Sequence, residues 1–167
     1  MHKKNSIQWL LVGLFVVSAN GAFANTKLAD VMGNISDQLT ELNTFSKLAP
    51  KDANARAFAK VQSRSRLVQF LFGVLDEKKG SVDAAGALVA AELTPDKFKP
   101  LSGKELEELL AEYSKTVKDV ATLFGKVETE LSTQLAVADP AARDFTTLKA
   151  NLTDISTAMR NAHKVFR

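Results

Sequence analysis

The sequence predicts an all-α protein: an antiparallel up-down-up-down four-helix bundle with a long crossover between its second and third helices. Three observations carry this. Apolar residues recur at intervals of three and four over four long stretches of the 167-residue chain, the spacing of helices buried on one face. No stretch carries strand signals. The breaks after the first and third stretches are short, which favours antiparallel neighbours, whereas the middle break is long.

Residues 1–24 read as a cleaved secretory signal. Lys3 and Lys4 provide the positive start, Trp9 to Val17 is an apolar run, and Ala22-Phe23-Ala24 puts small residues where a signal peptidase cuts. The run is about half the ~20 residues of a membrane span, and no later segment is long and apolar enough to make one. Cleavage would leave 143 residues, 25–167, enough for one helical domain with a sizeable core. The leader removes two lysines, so the mature chain holds 20 basic against 19 acidic residues. It has no basic stripe with interleaved aromatics, which makes nucleic acid a poor partner. It has no cysteine, hence no disulfide, no thiolate nucleophile and no thioether-attached haem.

The first helix has a seam of Leu28, Met32, Ile35, Leu39 and Leu42, with Asp30, Asn34, Asp37, Gln38 and Glu41 on its other side. Pro50 marks its end, because proline cannot continue a helix. The second starts from Asp52 or Asn54, either of which suits an N-cap. Phe58, Val61, Ser65, Val68, Phe72 and Leu75 form its seam, and Lys78-Lys79-Gly80 reads as its stop. Residues 80–103 are punctuated by Gly80, Gly86, Pro95, Pro100 and Gly103. Frequent alanine predicts a short helical piece near Val82–Leu93 within this crossover. Ser102 followed by Glu105 has the spacing of a capping box. It opens the longest helix, whose seam is Leu106, Leu109 or Leu110, Tyr113, Val117, Val120, Phe124, Val127 and Leu131. Asp139-Pro140 ends it. The fourth helix begins near Asp139 or Arg143 and carries Phe145, Leu148, Leu152, Ile155, Met159, Ala162 and Phe166.

His163 is the one histidine after the leader. A hydrolytic triad needs a positioned base, a di-iron bundle needs a Glu-x-x-His repeat, and phosphate chemistry favours a glycine-rich loop. None of these is present, so the chain is expected not to be an enzyme. His163 stands beside the fourth seam, at the core edge. In the predicted topology the start of the first helix and the end of the fourth share one end of the bundle, which brings Met32 and His163 to similar height. Alone, Met32 reads as core filler, and His163 as a half-buried polar residue.

Both ends of the chain resemble the periplasmic cytochrome b562 family, a family of four-helix bundles. Leu28-Ala29-Asp30-Val31-Met32, with Ile35, Asp37 and Leu39, is similar to the opening helix of that family. Arg160-Asn161-Ala162-His163-Lys164-Val165-Phe166-Arg167 is similar to its C-terminal segment. The family carries one more residue between Arg-Asn-Ala and the histidine, and the middle of the chain shows no motif that aligns with it. The resemblance implies one non-covalent haem b with Met32 and His163 as the axial metal ligands and Arg167 near the haem carboxylates. It implies electron transfer with periplasmic redox proteins as partners, and no membrane insertion once the signal is cleaved. Met159, one turn before His163 on the same helix, would pack on the macrocycle or the core. Arg160 reads as a solvated residue favouring the helix C-terminus. Without the resemblance, the same features fit a haem-free periplasmic helical bundle acting as a binding or stress-related adaptor.

Overall fold

A computed structural model describes residues 28–166. The expected signal segment, residues 1–24, and Arg167 lie outside the described residues. Four helices dominate: α1 (Leu28–Ser46), α2 (Ala55–Glu77), α3 (Gly103–Ala136) and α4 (Thr146–Phe166). Each packs on its sequence neighbours, and α4 closes the ring on α1. Bonds between α2 and α3 pair Gln62 with Ser132, Ser65 with Phe124 and Asp76 with Ser114. The partner numbers fall as the α2 numbers rise, which is the signature of antiparallel neighbours. The protein is an all-α four-helix bundle.

The seams of α2 and α3 are as expected. Phe58, Val61, Ser65, Val68, Phe72 and Leu75 are buried on α2. Leu106, Leu110, Tyr113, Val117, Val120, Phe124, Val127 and Leu131 are buried on α3. Ser65 is tolerated in this seam because its hydroxyl donates to the Phe124 carbonyl at 3.0 Å. Asn54 is the N-cap of α2: its side chain accepts from Ala57 N–H at 2.9 Å.

The seam of α1 is rotated from the expected one. Val31, Ile35, Gln38, Leu42 and Phe45 are buried, whereas Met32 and Leu39 are only half-buried. Gln38, expected on the polar side, is 8% exposed. The two possible stripes share Ile35 and Leu42. Phe45 decides between them, packing against Phe58 and Phe145 with ring centroids 5.0 and 5.3 Å away. This aromatic cluster closes one end of the bundle.

The expected helix at Val82–Leu93 does not form. Ser81–Val82 and Leu88–Val89 make a small antiparallel hairpin instead. Asp83 is the reason, because its carboxylate accepts from the N–H groups of Ala85 and Ala87, both at 2.9 Å. Such local side-chain bonds compete with helix formation. Gly80 leaves α2 at φ +96°, where a Cβ would stand 2.9 Å from the Val89 carbonyl, so only glycine enters the hairpin without strain.

Two further boundaries differ. Ser102 sits at the N-cap of α3, but its side chain makes no capping bond. The Gly103 N–H donates to the Gly86 carbonyl at 2.6 Å, tying the helix start to the hairpin by its backbone. Asp139 caps only a short 3-10 turn, Pro140–Ala142. The start of α4 is set by Asp144, whose carboxylate accepts from both the N–H and the hydroxyl of Thr146.

Candidate functional site

At the end opposite the Phe45 cluster, the bundle does not close. A cavity of about 580 Å³ opens between the four helices and the crossover. Its walls are mainly apolar. Phe72 and Leu75 come from α2, Tyr113, Val117 and Val120 from α3, and Phe166 from α4. Both methionines of the described residues, Met32 on α1 and Met159 on α4, line it, and so does His163. The cavity therefore gathers a thioether from one helix and an imidazole from its neighbour.

The exposures explain the arrangement. Met32 and Met159 are half-buried and pack on the core. His163 was expected at the core edge; it is exposed, in the last turn of α4, and borders the mouth of the cavity. The α4 seam is buried at Leu148, Leu152 and Ile155, then only half-buried at Met159, Ala162 and Phe166. The seam does not change there. The space it faces does.

The crossover supplies the roof, which the sequence did not reveal. Pro95, Asp96 and Lys97 line the cavity. Next to them Phe98 is fully buried, edge-on to Tyr113 at 5.6 Å and to Phe166 at 6.4 Å. Tyr113 and Phe166 themselves meet edge-on at 5.0 Å. The crossover's content of Ala, Leu and Val, too apolar for a purely solvated coil, and a phenylalanine three residues after Pro95 were the available signals that this segment packs down.

Asp76 follows the lining residue Leu75 and is the centre of a charge cluster between α2 and α3. Its carboxylate accepts from Ser114 Oγ at 2.5 Å and from Lys79 Nζ at 2.9 Å, and Lys118 Nζ stands 3.3 Å away. Burial pushes this carboxyl up, but the Ser114, Lys79 and Lys118 interactions outweigh it and hold the group below its ordinary 3.8. The Tyr113 phenol is pushed up to about 12 by burial, with the Asp76 charge adding to the effect. It therefore stays protonated through the physiological range.

The Asp76 cluster ties α2 to α3, and its contribution depends on pH. A carboxyl with a depressed folded-state pKa stabilises above its unfolded pKa, and the effect is lost as pH falls through the folded one. Asp76→Asn should therefore be less stable than the parent at neutral pH, with the gap closing as both are acidified below the carboxylate range. Urea midpoints measured against pH check this, and a gap that stays constant into acid would count against it.

Among the described residues no group of three or more His, Cys, Asp or Glu side chains could hold a metal ion. No helix there is long and apolar enough to cross a membrane. Among the cavity's lining residues the soft donors are the His163 imidazole and the two methionine sulfurs, types of ligand that suit iron in a macrocycle or a soft metal. The cavity's size lies within the ~300–1,000 Å³ common for small-molecule and cofactor sites. The residues present thus fit an apolar planar group with a metal at its centre. No protein-family model, curated protein or solved structure matches this chain.

Proposed function

We propose that this protein is an exported periplasmic electron carrier that holds one non-covalent b-type haem, with Met32 and His163 as axial ligands. One observation carries the reading: a thioether on α1 and an imidazole on α4 line the same apolar cavity. The resemblance of the two chain ends to the cytochrome b562 family supports it, since those ends hold the two donors. Iron with a thioether and an imidazole as its axial ligands is low-spin, has a raised potential and is suited to passing single electrons to periplasmic redox partners.

The chain's own part is to position and to exclude. Met32 offers its sulfur from a half-buried place on α1, and His163 offers a nitrogen from α4. Phe72, Val117 and Val120 keep water from the apolar faces. Met159 lies one turn from His163 on the same helix, so the two cannot easily take opposite sides of one metal, and it serves as packing. Arg167, outside the described residues, is assigned to a haem carboxylate on the resemblance alone.

An absorption spectrum tests the proposal. Protein purified from haem-sufficient cells, or reconstituted with haem, should show a sharp Soret band and low-spin visible bands. A folded, colourless protein that leaves only free-haem absorption would overturn it. That result would favour a haem-free periplasmic bundle acting as a binding or stress adaptor, a reading to which the exposure of His163 also lends weight.

A further inference from the structure

The crossover does more than connect α2 to α3. It is anchored by the buried side chains of Leu93 and Phe98, with Pro95 buried between them, and the Leu93 N–H also donates to the Lys78 carbonyl at 3.0 Å. Between the anchors, Pro95, Asp96 and Lys97 border the cavity. Of the two charged residues, Asp96 forms an exposed ion pair with Lys99. Lys97 is different. Its ammonium donates to the Val165 main-chain carbonyl in the last turn of α4, a neutral partner at a helix end where carbonyls lack helical donors. Lys97 is also the only lysine or arginine among the described residues lining the cavity. Among the described residues the site therefore has apolar walls and one lysine at its edge, whose ammonium is bonded to a main-chain carbonyl.

We propose that Lys97 is a ligand-anchoring residue that recognises a carboxylate on the edge of an otherwise apolar ligand. The inference rests on the haem reading, where the ligand is a porphyrin with acidic side arms. It adds a residue from the crossover that neither end motif contains. Holding Lys97 against the Val165 carbonyl places its charge beside the turn of α4 that carries His163. An ammonium can keep one proton on that carbonyl and direct another to a carboxylate, because it has three donors. The roof then fixes which edge of the ligand faces the crossover, and the walls need supply only apolar contact.

The test compares full-length protein with its Lys97→Gln and Lys97→Arg variants, each titrated with haem and with haem dimethyl ester, whose carboxylates are masked. Lys97→Gln should weaken haem binding by roughly threefold to fivefold, the scale of an exposed charge pair, and leave affinity for the ester unchanged. Lys97→Arg should restore haem binding. If the Gln variant changes both ligands equally, Lys97 is a structural tie to α4 and the inference is overturned. If it changes neither, the inference is overturned as well, while the haem reading stands. If the unsubstituted protein binds neither porphyrin, the haem reading itself fails and takes the inference with it.

Discussion

If the protein holds haem as proposed, replacing His163 by alanine is expected to abolish its low-spin absorption and to loosen the haem by more than the roughly 10- to 100-fold typical of losing an outer-shell partner. The effect is large because His163 is the only described histidine that lines the cavity, so no second imidazole can replace it. Its exposure at the end of α4 means that the substitution removes little packing, and the fold should survive. Circular dichroism and the unfolding midpoint should therefore stay near those of the parent while the spectrum changes. The two methionines provide the control. Met32→Leu should convert the spectrum, because under the haem proposal it removes the thioether that the neighbouring helix contributes to the same cavity. Met159→Leu should not, because Met159 shares a helix face with His163. An unchanged spectrum in His163→Ala, or a conversion in Met159→Leu alone, would reject the axial assignment.

The largest effect on stability is expected at the other end. Phe58→Ala should lower stability by about 3–5 kcal/mol, the usual cost of deleting a buried phenylalanine. Phe58 is fully buried and edge-on to Phe45 and Phe145, with centroids 5.0 and 5.9 Å away. The Arg143 guanidinium lies over its ring at 5.1 Å and also donates to the Ala53 carbonyl at 2.6 Å. Removing the ring leaves a void bounded by three elements and takes the apolar support from Arg143. For a domain of this size, that should lower the melting temperature by roughly 10–20 °C. The cavity is at the far end, so under the haem proposal the protein that remains folded should keep the absorption of the parent. A melting temperature within a few degrees of the parent would show that the cluster repacks and that its edge-on geometry is not needed.

Much of the fold is legible in the sequence because α2 and α3 each present one dominant stripe, Phe58 to Leu75 and Leu106 to Leu131. The choice the sequence leaves open on α3, Leu109 or Leu110, is settled by burial of Leu110. On α1 the stripes through Met32 and through Val31 are nearly equal in apolar content, and only a contact across the bundle, Phe45 on Phe58 and Phe145, selects one. In the crossover, alanine content favours a helix, but Asp83 bonds its own neighbours and turns the chain into a hairpin. Tertiary and local bonds decide there, and composition does not register them.

The candidate site was legible in part. The height of Met32 and His163 in an antiparallel bundle follows from counting residues. The cavity between them does not. It exists where short side chains from three helices, Ala29, Thr116 and Ala162, line the same space, a coincidence that no single helical period records. Lys97 escaped for a related reason. Its role depends on the roof folding back over the bundle end, and that depends on Phe98 reaching Tyr113 and Phe166.

The bundle is filled at one end and open at the other, and this sets an order in which it should come apart. Near Phe45, Phe58 and Phe145, hydrogen-bonded main-chain amides are expected to exchange most slowly, through opening of the whole bundle. Along the last two turns of α4, where Met159, Ala162 and Phe166 are half-buried, amides can exchange through fraying that leaves the rest intact. A ligand in the cavity would hold those turns to α1 and α3. Hydrogen exchange along α4 would thus run as a gradient in the empty protein and flatten when the cavity is filled, reporting occupancy without any colour at all.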